Sequence, residues 1–233
     1  MSETKPVKPA EAVTSKAVKT VVIDTADRAF ALCMNHICEK MSISYPAEKE
    51  HGIGWHMLRQ EWERVIQKLN MMNCGLVLIC HETTKEITRK HVKIDRYQPD
   101  IPKTGYDIVY DLSDILLHYS YHDDDTRVLY ARATEDRIAG CRGGLLPPTV
   151  EPTFKAINAA IKEHTGKTYE DVLPVVTIYG SPKIGKSTIA SEFPGAIFAD
   201  FENGLKFLDV ESHLIKSWNG GEKDSFLTFC KNL

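Results

Sequence analysis

A chain of 233 residues, 42% hydrophobic and 26% charged, is long enough to bury a substantial core and has the composition of a folded protein. Its net charge of −3 excludes coating of nucleic acid by bulk positive charge, although a local basic patch is compatible with it. Its six cysteines never fall at C-x-x-C spacing. The near pairs His51/His56 and His118/His122 have no Cys or carboxylate cluster to complete a set, so neither a disulfide framework nor a structural zinc is expected.

Residues 1–18 are rich in Lys, Glu, Thr, Ala and Pro and read as a flexible arm or linker. They contain no secretory apolar stretch, and no run approaches the roughly 18 apolar residues of a membrane span. A cytoplasmic chain with no membrane association is the expectation. The run Thr20-Val21-Val22-Ile23-Asp24 reads as a buried parallel strand ending in an acid. Residues 26–40 are helical in pattern, with Phe30, Cys33, Met34 and Ile37 on one face, and 41–54 read as a loop. A second helix is expected over about 55–71, its stripe being Leu58, Trp62, Val65, Ile66 and Leu69. Gly75 to His81 is the next buried strand. Residues 82–106 read as polar and irregular. Within them Lys85, Arg89, Lys90, Lys93, Arg96 and Lys103 outnumber Glu86, Asp95 and Asp100, which makes a locally basic loop around Tyr97. Strands over 114–119 and 127–134 should form an antiparallel hairpin across His122-Asp123-Asp124-Asp125. A Gly/Pro-rich loop at 137–148 and a helix over 153–164 follow, with Gly166 as its cap. The tail, 204–233, reads as helical with a break near Asn219-Gly220-Gly221.

The most specific stretch is Gly180-Ser181-Pro182-Lys183-Ile184-Gly185-Lys186-Ser187-Thr188, which fits G-x-x-x-x-G-K-[ST] at every fixed position. A β-rich run, Val175 to Tyr179, precedes it and a short helical segment follows, the context of a true P-loop. Backbone N–H groups of such a turn converge on phosphate, the lysine reaches the terminal phosphates and the serine ligates Mg²⁺. Only 45 residues follow Thr188, too few for a nucleotide-binding sheet, so the rest of the site must lie upstream. Asp24, at the end of an apolar strand, suits the second Mg²⁺ anchor. Glu202 ends the strand expected after the P-loop helix and suits activation of water, the other reading being an exposed acid at a strand end. His81 ends a third strand, the other reading being a histidine satisfied by neighbouring backbone. In one parallel sheet these C-terminal ends share an edge.

Taken as a set, GSPKIGKST, AIFADFENGLK at 196–206, KTVVIDT at 19–25 and LVLICHE at 76–82 resemble the RecA-like P-loop ATPases encoded by phages, single-domain relatives of recombinases. The resemblance implies a three-layer α/β fold with a mainly parallel sheet plus an antiparallel hairpin. It implies ATP and Mg²⁺ held by the P-loop and Asp24, with Glu202 activating water and His81 as a polar sensor. It further implies single-stranded DNA as partner, bound by Lys85, Arg89, Lys90, Lys93 and Arg96; the bland reading of that loop is a solvated lid. In a homo-oligomer, Arg137 or Arg142 would complete a neighbour's site as an arginine finger. The chain order departs from the family. Here the P-loop half, 172–233, follows the Walker B half, 19–165, so that one domain over 19–233 looks circularly permuted. The alternative is a composite of two ATPase pieces; one copy of every core element favours permutation. Other functions compatible with the motif are a nucleotide-dependent switch with a protein partner and, with less support, a small-molecule kinase.

Overall fold

The computed structural model describes residues 18–89, 91–123, 125–219 and 223–233, so the expected arm lies outside the described residues except for Val18. The run after it forms β1 (Thr20–Asp24), buried at all five positions. A strand apolar on both sides needs a layer on each face. Thr25 opens α1 (Ala26–Met41), which buries Phe30, Cys33 and Ile37, with Met34 partly buried beside them. Two 3-10 turns carry the expected loop to α2 (Ile53–Asn70), whose predicted stripe is buried in full. β2 (Gly75–Arg89) starts as expected but does not stop at His81. It continues into an antiparallel hairpin with β3 (Val92–Pro99), and α3 (Lys103–Leu112) follows. The irregular, basic loop expected over 82–106 is thus corrected to a β-hairpin and the start of a helix. Its strands are largely exposed, so they need no apolar alternation, and Thr and Ile carry the strand preference behind the charges.

β4 (Ile115–Tyr121) and β5 (Arg127–Tyr130) form the expected hairpin, with β5 ending at Tyr130 instead of Thr134. Short strands β6 (Gly140–Cys141) and β7 (Thr149–Val150) punctuate the next segment. α4 (Phe154–Thr165) is capped by Thr153, whose hydroxyl accepts from the Ala156 N–H at 3.2 Å, and by Gly166 at φ +71°. α5 (Tyr169–Val172), β8 (Val175–Gly180), α6 (Lys186–Ser191) and β9 (Ala196–Asp200) follow in order. β9 ends at Asp200, so Glu202 lies in the turn beyond the strand. The tail is also corrected: β10 (Glu211–Leu214) lies parallel to β9, and α7 (Phe226–Asn232) is the helical part. The apolar residues of this tail do not form one helical stripe. Leu205, Leu208 and Val210 pack into one core, and Ile215, Trp218 and Phe226 into another.

The described strands form one ten-stranded sheet in the order β10-β9-β1-β2-β8-β4-β5-β7, with β3 beside β2 and β6 beside β4. From β10 to β4 the neighbours are parallel. Alternate side chains feed two cores. Val21, Ile23, Leu76, Leu78 and Cys80 pack with α1, α2, α3 and α7; Val22, Val77, Ile79, Val176 and Ile178 pack with α4, α5 and α6. The result is three layers. The expected neighbours are adjacent: Cys80 pairs with Tyr179 and His81 with Gly180. Strands from both sequence halves therefore alternate in one sheet, and their C-terminal ends meet at one edge. No helix among the described residues is long and apolar enough to cross a membrane.

Candidate functional site

The P-loop starts where β8 ends. A Cβ on Gly180 would sit 2.2 Å from the Tyr119 carbonyl oxygen, so only glycine allows this approach of β8 to β4. Gly185, at φ +112°, turns the chain into α6 in a conformation that favours glycine. Lys186 is buried, and its Nζ donates to the carbonyls of Gly180 and Ser181, each at 2.8 Å. Burial lowers its pKa, while Asp24 and other nearby carboxylates oppose that shift. Ser187 Oγ donates to Asp24 Oδ2 at 2.7 Å. The expected phosphate and metal anchors, 163 residues apart in sequence, are thus in direct contact.

Asp24 is buried, and its carboxyl is pushed up to about 6. Burial is the main cause and Asp200 and Glu202 add to it, while the Ser187 hydrogen bond and Lys186 pull the other way. The Asp24 carboxylate and the Ser187 hydroxyl, in contact with each other, are hard oxygen donors of the kind Mg²⁺ prefers. The crowding of negative charge that raises Asp24 is what a divalent cation would relieve. These residues fit Mg²⁺, with Ser187 and Asp24 as its holders.

Glu202 accepts from Arg28 Nε at 3.1 Å, and His81 Nε2 lies 3.8 Å from its other oxygen. The turn that carries it is closed by Asp200, whose Oδ1 accepts the N–H groups of Glu202 and Gly204 at 3.0 and 3.3 Å. His81 is held by Asp27. The His81 backbone N–H donates to Asp27 Oδ1 at 3.1 Å, and ring Nδ1 lies 2.9 Å from Oδ2. With Nδ1 held against Asp27, Nε2 faces Glu202. Asp27, His81 and Glu202 offer ligand atoms within 4.8 Å of one another. Sequence reasoning missed Asp27, because an acid in the first turn of a helix reads as a helix-dipole partner.

A second network joins the P-loop to the β2–β3 hairpin. Ser181 Oγ donates to Glu82 Oε1, and Glu82 Oε2 lies 2.8 Å from His118 Nε2. Burial would raise the Glu82 carboxyl, but the bonds from His118 and Ser181 outweigh it and bring it below the usual range. The His118 ring stacks on Tyr179 at 4.7 Å and on Tyr97 of β3 at 5.4 Å. The Tyr179 hydroxyl donates to the carbonyls of Tyr97 and Ile138. Glu82 and His118 were also missed. The available signal for Glu82 was strand alternation, which sends the residue after His81 to the other face. Arg127 was missed too: its Nη1 donates to the carbonyl of P-loop residue Ile184 at 3.0 Å.

Of the remaining candidates, Lys93, Arg137 and Arg142 bond partners outside the P-loop. Lys85 pairs opposite Arg96 in the hairpin, and Lys93 forms an ion pair with Glu86 at 2.9 Å. Lys90 and the side chain of Arg89 lie outside the described residues. Arg137 bonds Asp136 at 3.0 Å and stacks over Tyr130 at 3.8 Å. Arg142 bonds the Asp111 carbonyl and lies 3.4 Å from Asp114. Both proposed finger residues are therefore engaged within their own chain.

The AAA domain family model matches residues 8–142 and 174–230, well over half of the chain. No curated protein and no solved structure matches it. The two matched segments contain Asp24, Asp27, His81 and Glu82 in the first and Lys186, Ser187 and Glu202 in the second. A P-loop whose serine meets a strand-end aspartate inside an α/β sheet is the site that such a match calls for, and the chain belongs to the AAA domain family, P-loop nucleotide-binding domains of ATPase type.

Proposed function

We propose that this chain binds and hydrolyses ATP with Mg²⁺ as a RecA-like domain of phage type, acting on single-stranded DNA in recombination, annealing or repair. The observation that carries the ATPase reading is the Ser187–Asp24 contact with Glu202 and His81 at the same sheet edge. Lys186 leaves its two carbonyl partners for the terminal phosphates, and the N–H groups of 181–188 cradle the rest. Mg²⁺ held by Ser187 and Asp24 would neutralise charge that develops on the phosphate oxygens. Glu202 orients water and takes its proton, while Asp27 fixes His81 so that Nε2 faces that carboxylate.

The hairpin supports the DNA reading. Cross-strand pairing sets Lys85 against Arg96 on one face and Glu86 against Asp95 on the other. Like charges directly opposite destabilise a ladder, and a polyanion on the Lys85–Arg96 face would relieve the basic pair. Arg96 Nε is also a buried donor with no hydrogen-bond partner among the described residues. In a homo-oligomer, Arg137 or Arg142 would have to leave Asp136 or Asp114 to reach a neighbour. Circular permutation is supported by the alternation of strands from the two halves and by the packing of Val18 and Leu233 against one core.

The test is ATP turnover with and without single-stranded DNA, alongside DNA binding at rising salt. Stimulation, with binding that weakens as salt rises, is expected. ATP turnover indifferent to DNA, with no salt-sensitive binding, overturns the DNA reading and leaves the protein-partnered switch. A phosphorylated small-molecule acceptor would point to a kinase instead.

A further inference from the structure

The groups that act on a terminal phosphate all lie to one side of the P-loop strand. Asp24 ends β1, Glu202 follows β9, and His81 and Glu82 belong to β2. β2 is one neighbour of β8, with β1 and β9 beyond it. A nucleotide with its terminal phosphate at these residues must extend its nucleoside the other way. The other neighbour of β8 is β4, with β5 beyond it.

The ends of β4 and β5 that meet the P-loop carry a distinctive set. Tyr119 and Leu129 of these strands belong to the core on the α6 face, the face that also holds Ile184 of the P-loop. Strand alternation puts Tyr121 and Arg127 on that same face, and they stand directly opposite each other in the ladder. Arg127 donates to the Ile184 carbonyl at 3.0 Å and hydrogen-bonds the Tyr119 hydroxyl. A Cβ on Gly185 would meet Arg127 Nη1 at 3.3 Å and the Tyr119 hydroxyl at 3.4 Å, so the guanidinium lies against the P-loop turn itself. Tyr121, by contrast, is 56% exposed. An exposed ring and a planar cation side by side can stack on a nucleobase and pair with the sugar-phosphate end.

We propose that Tyr121 and Arg127 form the nucleoside-binding wall of this site: Tyr121 stacks the base, and Arg127, tied to Ile184, holds the wall in register with the P-loop. This rests on the nucleotide-binding reading and adds the end of the ligand that the motif does not address. No residue of the P-loop or of the catalytic set contributes to it except through the Arg127–Ile184 bond.

The experiment compares Mg²⁺-supported binding of ATP with that of inorganic tripolyphosphate, which has the phosphates and no nucleoside. The unaltered chain, Tyr121→Ala, Tyr121→Phe and Lys186→Ala are measured by calorimetry. Base stacking lost on alanine substitution corresponds to about tenfold weaker binding, within a wide range. Tyr121→Ala should therefore weaken ATP about tenfold and leave tripolyphosphate unchanged. Tyr121→Phe should restore ATP, and Lys186→Ala should lose both ligands. The exposure of Tyr121 makes misfolding a minor concern, and unchanged tripolyphosphate binding serves as the check. If Tyr121→Ala binds ATP as the unaltered chain does, or loses both ligands equally, the nucleoside wall is wrong while the phosphate site stands. If the unaltered chain binds neither ligand, the nucleotide reading itself fails and the wall falls with it.

Discussion

Asp24 must be an anion to hold a cation, yet burial and the neighbouring Asp200 and Glu202 oppose its ionisation. Its carboxyl stands near 6 instead of the usual 3.8. A carboxyl raised on folding stabilises the folded chain while protonated, and that contribution is lost as pH rises through about 6. Mg²⁺ binding has the opposite sign, because it requires the carboxylate. Mg²⁺-dependent nucleotide affinity should hold above about pH 6 and fall about tenfold per unit below it. A titration by calorimetry between pH 5 and 7 that shows no such fall removes Asp24 from the cation site. Glu202 is tested separately. Glu202→Gln preserves the shape of the turn and its bond from Arg28 but cannot take a proton. Nucleotide affinity should be kept, and turnover should fall by about 10²- to 10⁴-fold. Near-normal hydrolysis would reduce Glu202 to a surface acid. That Lys186, Ser187, Asp24, His81 and Glu202 share one sheet edge was legible in the sequence, because each belongs to a motif or lies at or just beyond the end of an apolar run. Asp27, Glu82, His118 and Arg127 were not. Their roles depend on which strand lies beside which, and a linear pattern does not contain that information.

The β2–β3 hairpin is the largest element that sequence reading misplaced. Its charges read as loop, and strand preference was visible only in scattered residues such as Thr83, Thr84, Ile87, Thr88, Val92, Ile94 and Tyr97. Half-exposed strands have no apolar stripe to betray them. Its base is not free to move independently, because Tyr97 stacks on His118, and His118 meets Glu82, which holds Ser181 of the P-loop. The hairpin and the phosphate turn therefore share one hydrogen-bonded unit. His118→Phe keeps a ring between Tyr97 and Tyr179 but breaks the bond to Glu82. It should cost roughly 1–3 kcal/mol of stability, since a partly buried carboxylate loses one of its two partners. The functional effect should be more selective. ATP affinity should stay within about twofold, whereas the stimulation of turnover by single-stranded DNA should drop severalfold, because Ser181 and Tyr97 no longer report to each other. The ratio of stimulated to basal turnover measures this. An unchanged ratio would make the His118 stack a packing feature with no part in coupling.

At the scale of the whole molecule, the late position of the P-loop is explained by the sheet. β8 lies between β2 and β4, so a strand made late fills the gap between two made early, while β9 and β10, made later still, extend the sheet beyond β1. The general α/β class, the parallel sheet edge and the β4–β5 hairpin were readable from runs of β-branched residues. The strand order was not, nor was β10, a four-residue exposed edge strand with no apolar signature. Permutation makes a claim that can be built. A chain running 168–233, then a short Gly/Ser linker, then 18–167 would put the P-loop half first, as in the RecA-like proteins that the motifs resemble. The cut after Lys167 follows the exposed Gly166 cap and leaves α5 with its Thr168–Asp171 capping box intact. The new join would connect Leu233 and Val18, which pack against the same core. Every strand neighbour is retained, and the entropy of closing one loop against another changes only slowly with length. The relinked chain should therefore show a cooperative thermal transition within a few degrees of the original, the same Ser187–Asp24 site by its Mg²⁺ and ATP affinities, and the same response to Glu202→Gln. A soluble chain that folds but binds no nucleotide would mean that the two halves are joined by more than a moved pair of ends. An insoluble one, with a longer linker no better, would mean that the order of this chain is itself a requirement of its fold.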